Sequence, residues 1–312
     1  MFSSLIGQPQ AIELLTCAVG RDRIAPAYLF VGSAGVGRGL AAREFVALLL
    51  SHAFQPPSAT LLQRIRQGNH PDLLWIEPTY MHQGKRIAAS EAAELGVKRR
   101  APPQIRLEQI REISQFLSRP PLEARRAVVV IEDAETMAEA AANGLLKTLE
   151  EPGRATMILI APSLESLLPT LVSRCQRIPF RRLSQTDLVN VLQQTEHTDI
   201  LQHPEVLALA QGSPGEAIAH WQQLQAIPAE LLTAVSHPPT SLRLALEVAR
   251  QIDQTLDPEA QLWLVDYLQH SYWQTLRRPA LLQRLETTRR HLRSYAQPRL
   301  VWEVTWMDLL SA

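Results

Sequence analysis

The stretch 27–45, AYLFVGSAGVGRGLAAREF, most constrains what this chain can fold into. Tyr28 to Val31 is an apolar run of strand formers. Gly32, Gly35 and Gly37 follow within six residues, and a helix-favouring run opens from Leu40. A strand feeding a glycine loop that opens a helix is the frame of a phosphate-binding loop. Glycines let backbone N–H groups converge, and the helix N-terminus adds partial positive charge. The full pattern continues with Lys and then Ser or Thr, and here those positions hold Arg38 and Gly39. Arg keeps the charge without the compact donor geometry of Lys. Gly39 has no hydroxyl to hold Mg²⁺. Either the loop still binds a nucleotide weakly, or it is a turn kept for its shape; the loss of the hydroxyl favours the second.

A chain of 312 residues has room for two or three domains with real cores. Its formal net charge of +0 provides no global field toward nucleic acid or membrane. Cys17 and Cys175 form neither a metal-ligand spacing nor a disulfide framework, which fits a reducing cytoplasm. No signal-peptide pattern opens the chain, and no apolar run reaches the length of a membrane span.

Apolar spacing predicts a helix over 9–19 and another over 58–66, and LLWI at 73–76 reads as a buried strand. The turn signal Asn69-His70-Pro71-Asp72 lies between them. Residues 77–103 are polar, carry Lys98-Arg99-Arg100, and read as a long loop that is functional, partly helical or mobile. A helix over 105–117 ends at Pro120-Pro121. AVVVI at 127–131 and TMILI at 156–160 are β-branched runs of the kind buried in parallel sheets. A helix over 137–150 lies between them, and 164–168 reads as one turn of helix. Strand–helix alternation through this half implies a parallel sheet wrapped by helices.

Glu132 and Asp133 follow the strand 127–131, where ligands bind in open α/β sheets. Acids there hold Mg²⁺ and polarise water in nucleotide hydrolases. They would equally serve as an acidic cap on the next helix. After Arg182 no strand-rich run recurs. Helices are predicted over 184–195, 204–211, 216–224, 242–252, 258–276, 280–295 and 298–310. Trp263, Tyr267, Trp273, Trp302 and Trp306 gather in this half, at a spacing that suits core packing, and the helical surface could also be an oligomer interface.

Taken together, AYLF at 27–30, NHPD at 69–72, NGLLKTLEEP at 143–152, Ser173-Arg174-Cys175 and Gly212-Ser213-Pro214-Gly215 resemble the delta-prime family of bacterial DNA polymerase III clamp-loader subunits. The resemblance spans nearly the whole chain, and NGLLKTLEEP with Ser-Arg-Cys is its most specific part. It implies an α/β plus all-α architecture: a RecA-like AAA+ domain over 1–180, a three-helix lid over 181–227 and a helical collar over 228–312. It also implies a ring of five related subunits that opens a sliding clamp and places it on primed DNA. The partners would be the ATP-hydrolysing tau/gamma subunits and the clamp-opening delta subunit, with no membrane involved.

Carried over residue by residue, Gly32, Gly35, Gly37, Arg38, Glu132 and Asp133 form a degenerate nucleotide site. Arg38 and Gly39 stand for Lys and Thr, and Glu132-Asp133 reverses the usual Asp-Glu order. Ala161-Pro162-Ser163 and Gly215 stand where active subunits place their two γ-phosphate sensors. These departures imply no intrinsic ATPase or polymerase activity, and ATP as a weak ligand at most. Ser173-Arg174-Cys175 is complete, and the family places this Arg174 in the neighbouring subunit's ATP site as an arginine finger. Seen alone, Arg174 would be a surface salt-bridge residue. Residues 51–68 contain no cysteine for the family's zinc module, so no zinc is expected. The expectation is a clamp-loader stator within a DNA-directed DNA polymerase holoenzyme. Its rivals are an ATP-hydrolysing motor subunit and a P-loop small-molecule kinase.

Overall fold

The computed structural model describes residues 2, 4–51, 57–82, 84–94, 102–151, 153–294 and 296–310. The chain divides into two units, Met1–Asp187 and Leu188–Ala312.

The first unit runs α1 (Pro9–Gly20), β1 (Ala27–Val31), α2 (Arg38–Leu50), α3 (Ala59–Arg66), β2 (Leu73–Ile76), β3 (Thr79–His82), β4 (Lys85–Ala88) and α4 (Ala89–Glu94). It continues with α5 (Leu107–Leu117), β5 (Ala127–Ile131), α6 (Glu139–Glu150), β6 (Ala155–Ala161), α7 (Pro169–Val172) and β7 (Gln176–Pro179). Five strands form one sheet in the order β2-β5-β6-β1-β7, and every pairing is parallel. All five carboxyl ends therefore lie on one edge of the sheet and all five amino ends on the other.

β5 and β6 are buried at every residue, because AVVVI and ATMILIA offer apolar side chains to both faces. On one face Ile110 and Ile113 of α5 share a core with Leu145 and Leu149 of α6 and with Val129, Ile131, Met157 and Leu159 of the sheet. Each such side chain contributes about 1.5–3 kcal/mol by leaving water. That burial fixes the strand ends, and the loops leaving them, as a rigid frame.

Two local expectations need correction. The stretch 77–103 is not a long loop: Thr79–His82 and Lys85–Ala88 form an antiparallel hairpin, with Ala89–Glu94 helical after it. The basic triplet Lys98-Arg99-Arg100 lies outside the described residues. The helical turn expected over 164–168 sits at Pro169–Val172, where Pro169 takes the first helical position that suits its missing N–H.

The second unit is helical: α8 (Gln185–Gln194), which crosses the division, α9 (Pro204–Ala210), α10 (Pro214–Ala226), α11 (Ala229–Val235), α12 (Leu242–Thr255), α13 (Pro258–Thr275), α14 (Pro279–Arg293) and α15 (Pro298–Leu310). Ser184 accepts from the Asp187 N–H at 3.2 Å and so caps α8. Trp302 and Trp306 stack at 5.6 Å in the core, and Trp302 Nε1 donates to Gln261 Oε1 at 2.9 Å. Trp263 is buried as well, whereas Trp273 is 44% exposed and not part of the core. No helix among the described residues is long and apolar enough to cross a membrane.

Candidate functional site

The glycine loop leaves the carboxyl end of β1 and enters α2. Its shape is enforced by packing. A Cβ on Gly32 would lie 2.4 Å from the carbonyl oxygen of Phe180, so only glycine lets the loop pass the end of β7. Gly35 and Gly37 both take positive φ, at +70° and +100°, and Gly37 is the residue from which α2 starts. Gln8 fastens the loop from outside: its amide donates to the Val36 carbonyl at 3.2 Å and the Arg181 carbonyl at 2.6 Å, and accepts from Arg181 N at 3.0 Å. Nothing in the lead-in Ile6-Gly7-Gln8 signals this clamp, because its partners are distant in sequence.

The charges around the loop are arranged unlike those of a nucleotide site. Arg38 is only 8% exposed. Burial lowers its pKa, and Asp133, Glu135 and Glu132 act against that as nearby negative charges. Its Nη1 has no hydrogen-bond partner among the described residues. Glu135 Oε2 is likewise buried without one among the described residues, and burial with the neighbouring Asp133 charge pushes its carboxyl up, against the pull of Arg38. Glu132 accepts from Trp75 Nε1 at 2.9 Å, and Arg43 lies over the Trp75 ring at 5.2 Å. A Cβ on Gly39 would stand 3.6 Å from Glu132 Oε1, so the place of the missing hydroxyl does face the acids.

These residues do not fit a Mg²⁺-nucleotide. The metal's hydroxyl ligand is absent, and the nearby buried guanidinium already offsets the negative charge that the acids would offer to a metal. Nor do the acids cap the next helix. α6 starts from Ala138 without a side-chain cap, and Asp133 instead takes φ +46° in a tight turn that makes no side-chain cap. Among the described residues no group of His, Cys, Asp and Glu forms a metal-binding set.

Arg174 lies apart from this loop. It precedes β7, and β7 is parallel to β1 with Gln176 beside Tyr28, so Arg174 belongs to the amino edge of the sheet while the loop belongs to the carboxyl edge. The length of β1, at about 3.3 Å per residue, separates the two edges. Its guanidinium is exposed, donating to the Thr170 carbonyl at 3.0 Å and to Glu150 Oε1 at 2.8 Å. Next to it, burial pushes the Cys175 thiol up to about 11, so that cysteine packs rather than reacts. The structure thus brings Gly32, Gly35, Gly37, Arg38, Glu132 and Asp133 together and holds Arg174 away from them.

Known proteins match both units. Residues 7–184 match the family described as "DNA polymerase III, delta subunit", and residues 186–309 match "Cyanobacterial DNA polymerase III delta prime, C-terminal domain". The chain belongs to the DNA polymerase III delta-prime family. It is 34% identical to DNA polymerase III subunit delta' of Bacillus subtilis over 56% of this chain and 48% of that protein. It is 35% identical to the Pseudomonas aeruginosa subunit delta' over 62% of this chain and 55% of that protein. The chain therefore spans about half the length of these relatives. A gamma subunit-related protein of DNA polymerase III from Thermotoga maritima superposes with a TM-score of 0.54 at 18% identity, covering 97% of this chain and 99% of that one. The likeness is one of fold: a parallel sheet followed by helices alone.

Proposed function

We propose that this delta-prime family member is a stator of the replicative clamp loader: it hydrolyses no ATP itself and lends Arg174 to the ATP site of a neighbouring subunit. The observation that carries this reading is the division of the sheet. The chain's own loop holds a buried Arg38 among Glu132, Asp133 and Glu135, whereas its exposed Arg174 stands on the opposite edge, out of reach of that loop.

A neighbouring AAA+ site that cleaves ATP develops negative charge on the transferred phosphoryl oxygens. A guanidinium fixed beside it stabilises that charge without reorganisation cost. Arg174 is half free to do so, because its bond to Glu150 is an exposed ion pair of the kind that contributes little. Under this reading 181–227 acts as the lid and 228–312 as the collar through which the chain joins tau/gamma and delta subunits. The sliding clamp and primed DNA are then handled by the assembled ring, in the cytoplasm.

Mixing the purified chain with tau/gamma and delta subunits, and measuring particle size and ATP turnover, tests the proposal. A hetero-oligomer is expected, with no turnover by the chain alone. Turnover by the isolated chain that disappears in Arg38→Ala would make it a motor subunit instead. Failure to join the other subunits would return it to a small-molecule enzyme.

A further inference from the structure

The amino edge of the sheet carries a second feature, which the stator reading does not use. A cavity of about 550 Å³ opens there, between the starts of β5 and β6 and the C-terminal end of α5. Arg119, Arg125 and Arg154 line it, with Pro120, Pro121 and Leu117 among its apolar walls, and no acidic residue among the described residues takes part in the lining. None of the three guanidinium groups makes a hydrogen bond or ion pair within the described residues.

Two acids close to the cavity's turn in the fold are already engaged. Asp72 is 2% exposed and accepts from three successive backbone N–H groups, Leu122 at 2.6 Å, Glu123 at 2.8 Å and Ala124 at 2.7 Å. Glu123 is held by both terminal nitrogens of Arg64, at 2.7 and 3.0 Å. The first arrangement makes the 118–126 turn rigid, and the second removes a counter-charge from the cavity. What remains is a preformed concave site with three planar cationic forks and no internal anion to satisfy them. Guanidinium forks match phosphate oxygens two at a time, and the volume lies within the range of small-ligand pockets.

We propose that this cavity binds a ligand bearing two or more phosphate groups, either successive phosphodiesters of a nucleic-acid strand or a free polyphosphate. The site is distinct from the glycine loop, which lies on the opposite edge, and it requires nothing of Arg174.

The experiment uses the full chain at low salt with two probes, a short labelled oligothymidylate followed by anisotropy and sodium tripolyphosphate followed by calorimetry. Wild type is expected to bind at least one of them. The Arg119→Gln/Arg125→Gln/Arg154→Gln variant is expected to bind at least about ten-fold more weakly, and to lose about 2 from the log–log salt slope for a single strand. These side chains are exposed, so the variant should keep the wild-type melting temperature. Displacement of the oligonucleotide by tripolyphosphate supports bare phosphate recognition. Oligonucleotide binding that tripolyphosphate does not displace assigns the site to a strand, and tripolyphosphate binding alone assigns it to a free ligand. Arg38→Ala and Arg174→Ala serve as controls and should bind as wild type. Equal binding by the triple variant, binding by neither probe, or loss confined to Arg38→Ala would overturn the proposal.

Discussion

The two edges of the one sheet treat charge in opposite ways. At the carboxyl edge, Glu132, Asp133 and Glu135 surround a guanidinium supplied by the chain itself, so the charge is closed inward. At the amino edge, Arg119, Arg125 and Arg154 face a cavity with no acid in its described lining, and Arg174 is held by the Thr170 carbonyl and the exposed Glu150. The same α/β frame thus keeps the shape of a nucleotide site on one side while offering its unpaired positive charge on the other. The difference teaches that a phosphate-binding loop can depart from its usual residues at Arg38 and Gly39 and keep its geometry, because the geometry is fixed by packing: Gly32 against Phe180, and Gln8 across Val36 and Arg181.

The largest expected effect is at Asp72, which builds the amino edge. Asp72→Ala leaves three partly buried backbone N–H groups of the 122–124 turn without their charged acceptor, and a hydrogen bond to a charged group contributes about 1.5–3 kcal/mol. Denaturant unfolding should show a loss of at least about 3 kcal/mol, and the phosphate probes should bind more weakly with it. The pH dependence has a definite sign. Burial would raise the Asp72 carboxyl, but the three donors and His70 outweigh it and hold the carboxyl below the ordinary aspartate range. The native state therefore binds fewer protons than the unfolded chain around and below the unfolded value of about 3.9. The stabilisation is complete above that value and is lost as pH falls through the lower native one. A wild type and an Asp72→Ala variant whose stabilities differ equally at pH 7 and pH 2 would contradict this account.

At the carboxyl edge, Gly32→Ala comes next. A Cβ 2.4 Å from a backbone oxygen forces the loop or β7 to move, and overpacking of this kind costs about 1–3 kcal/mol. Thermal unfolding measures it. An unchanged melting temperature would mean that the loop is not braced by β7. The smallest effect is that of Trp75→Phe, which removes one hydrogen bond to Glu132 and should cost about 1 kcal/mol. Because that edge takes no part in ATP turnover under this account, Trp75→Phe should leave ring assembly and partner ATPase unchanged.

Most of the frame was legible in the sequence because it is written in local pattern. AVVVI and TMILI announced β5 and β6, and helical spacing located α1, α5 and α12–α15 to within a few residues. The elements that were missed carry weak local signals. TYMH and KRIA are short strands that pair with each other outside the main sheet, and QRIP is a half-exposed edge strand interrupted by charge and Pro. In the candidate site, Gly32, Gly35 and Gly37 were readable from spacing, and Glu132 and Asp133 from their place after a buried strand. The partners of Asp72 and Gln8 were not, since Asp72 reaches about fifty residues along the chain and Gln8 reaches both Val36, 28 residues on, and Arg181, 173 residues on. Nor could spacing reveal that Arg38 turns inward.

The central claim is that the amino edge acts on another subunit, and Arg174 tests it most directly. A ring assembled from wild-type partners with the Arg174→Ala chain should form normally, because the residue is exposed and bonded only to Thr170 and Glu150. A finger supplied in trans is worth roughly 10³–10⁵ in rate in GTPases, so the DNA- and clamp-stimulated ATP hydrolysis of that ring should drop several-fold even when only one of its sites is affected. Arg174→Lys should restore little, since a point charge does not reproduce the planar fork. Hydrolysis and clamp loading at wild-type rates in the Arg174→Ala ring would contradict the account and leave the residue as one half of a surface ion pair.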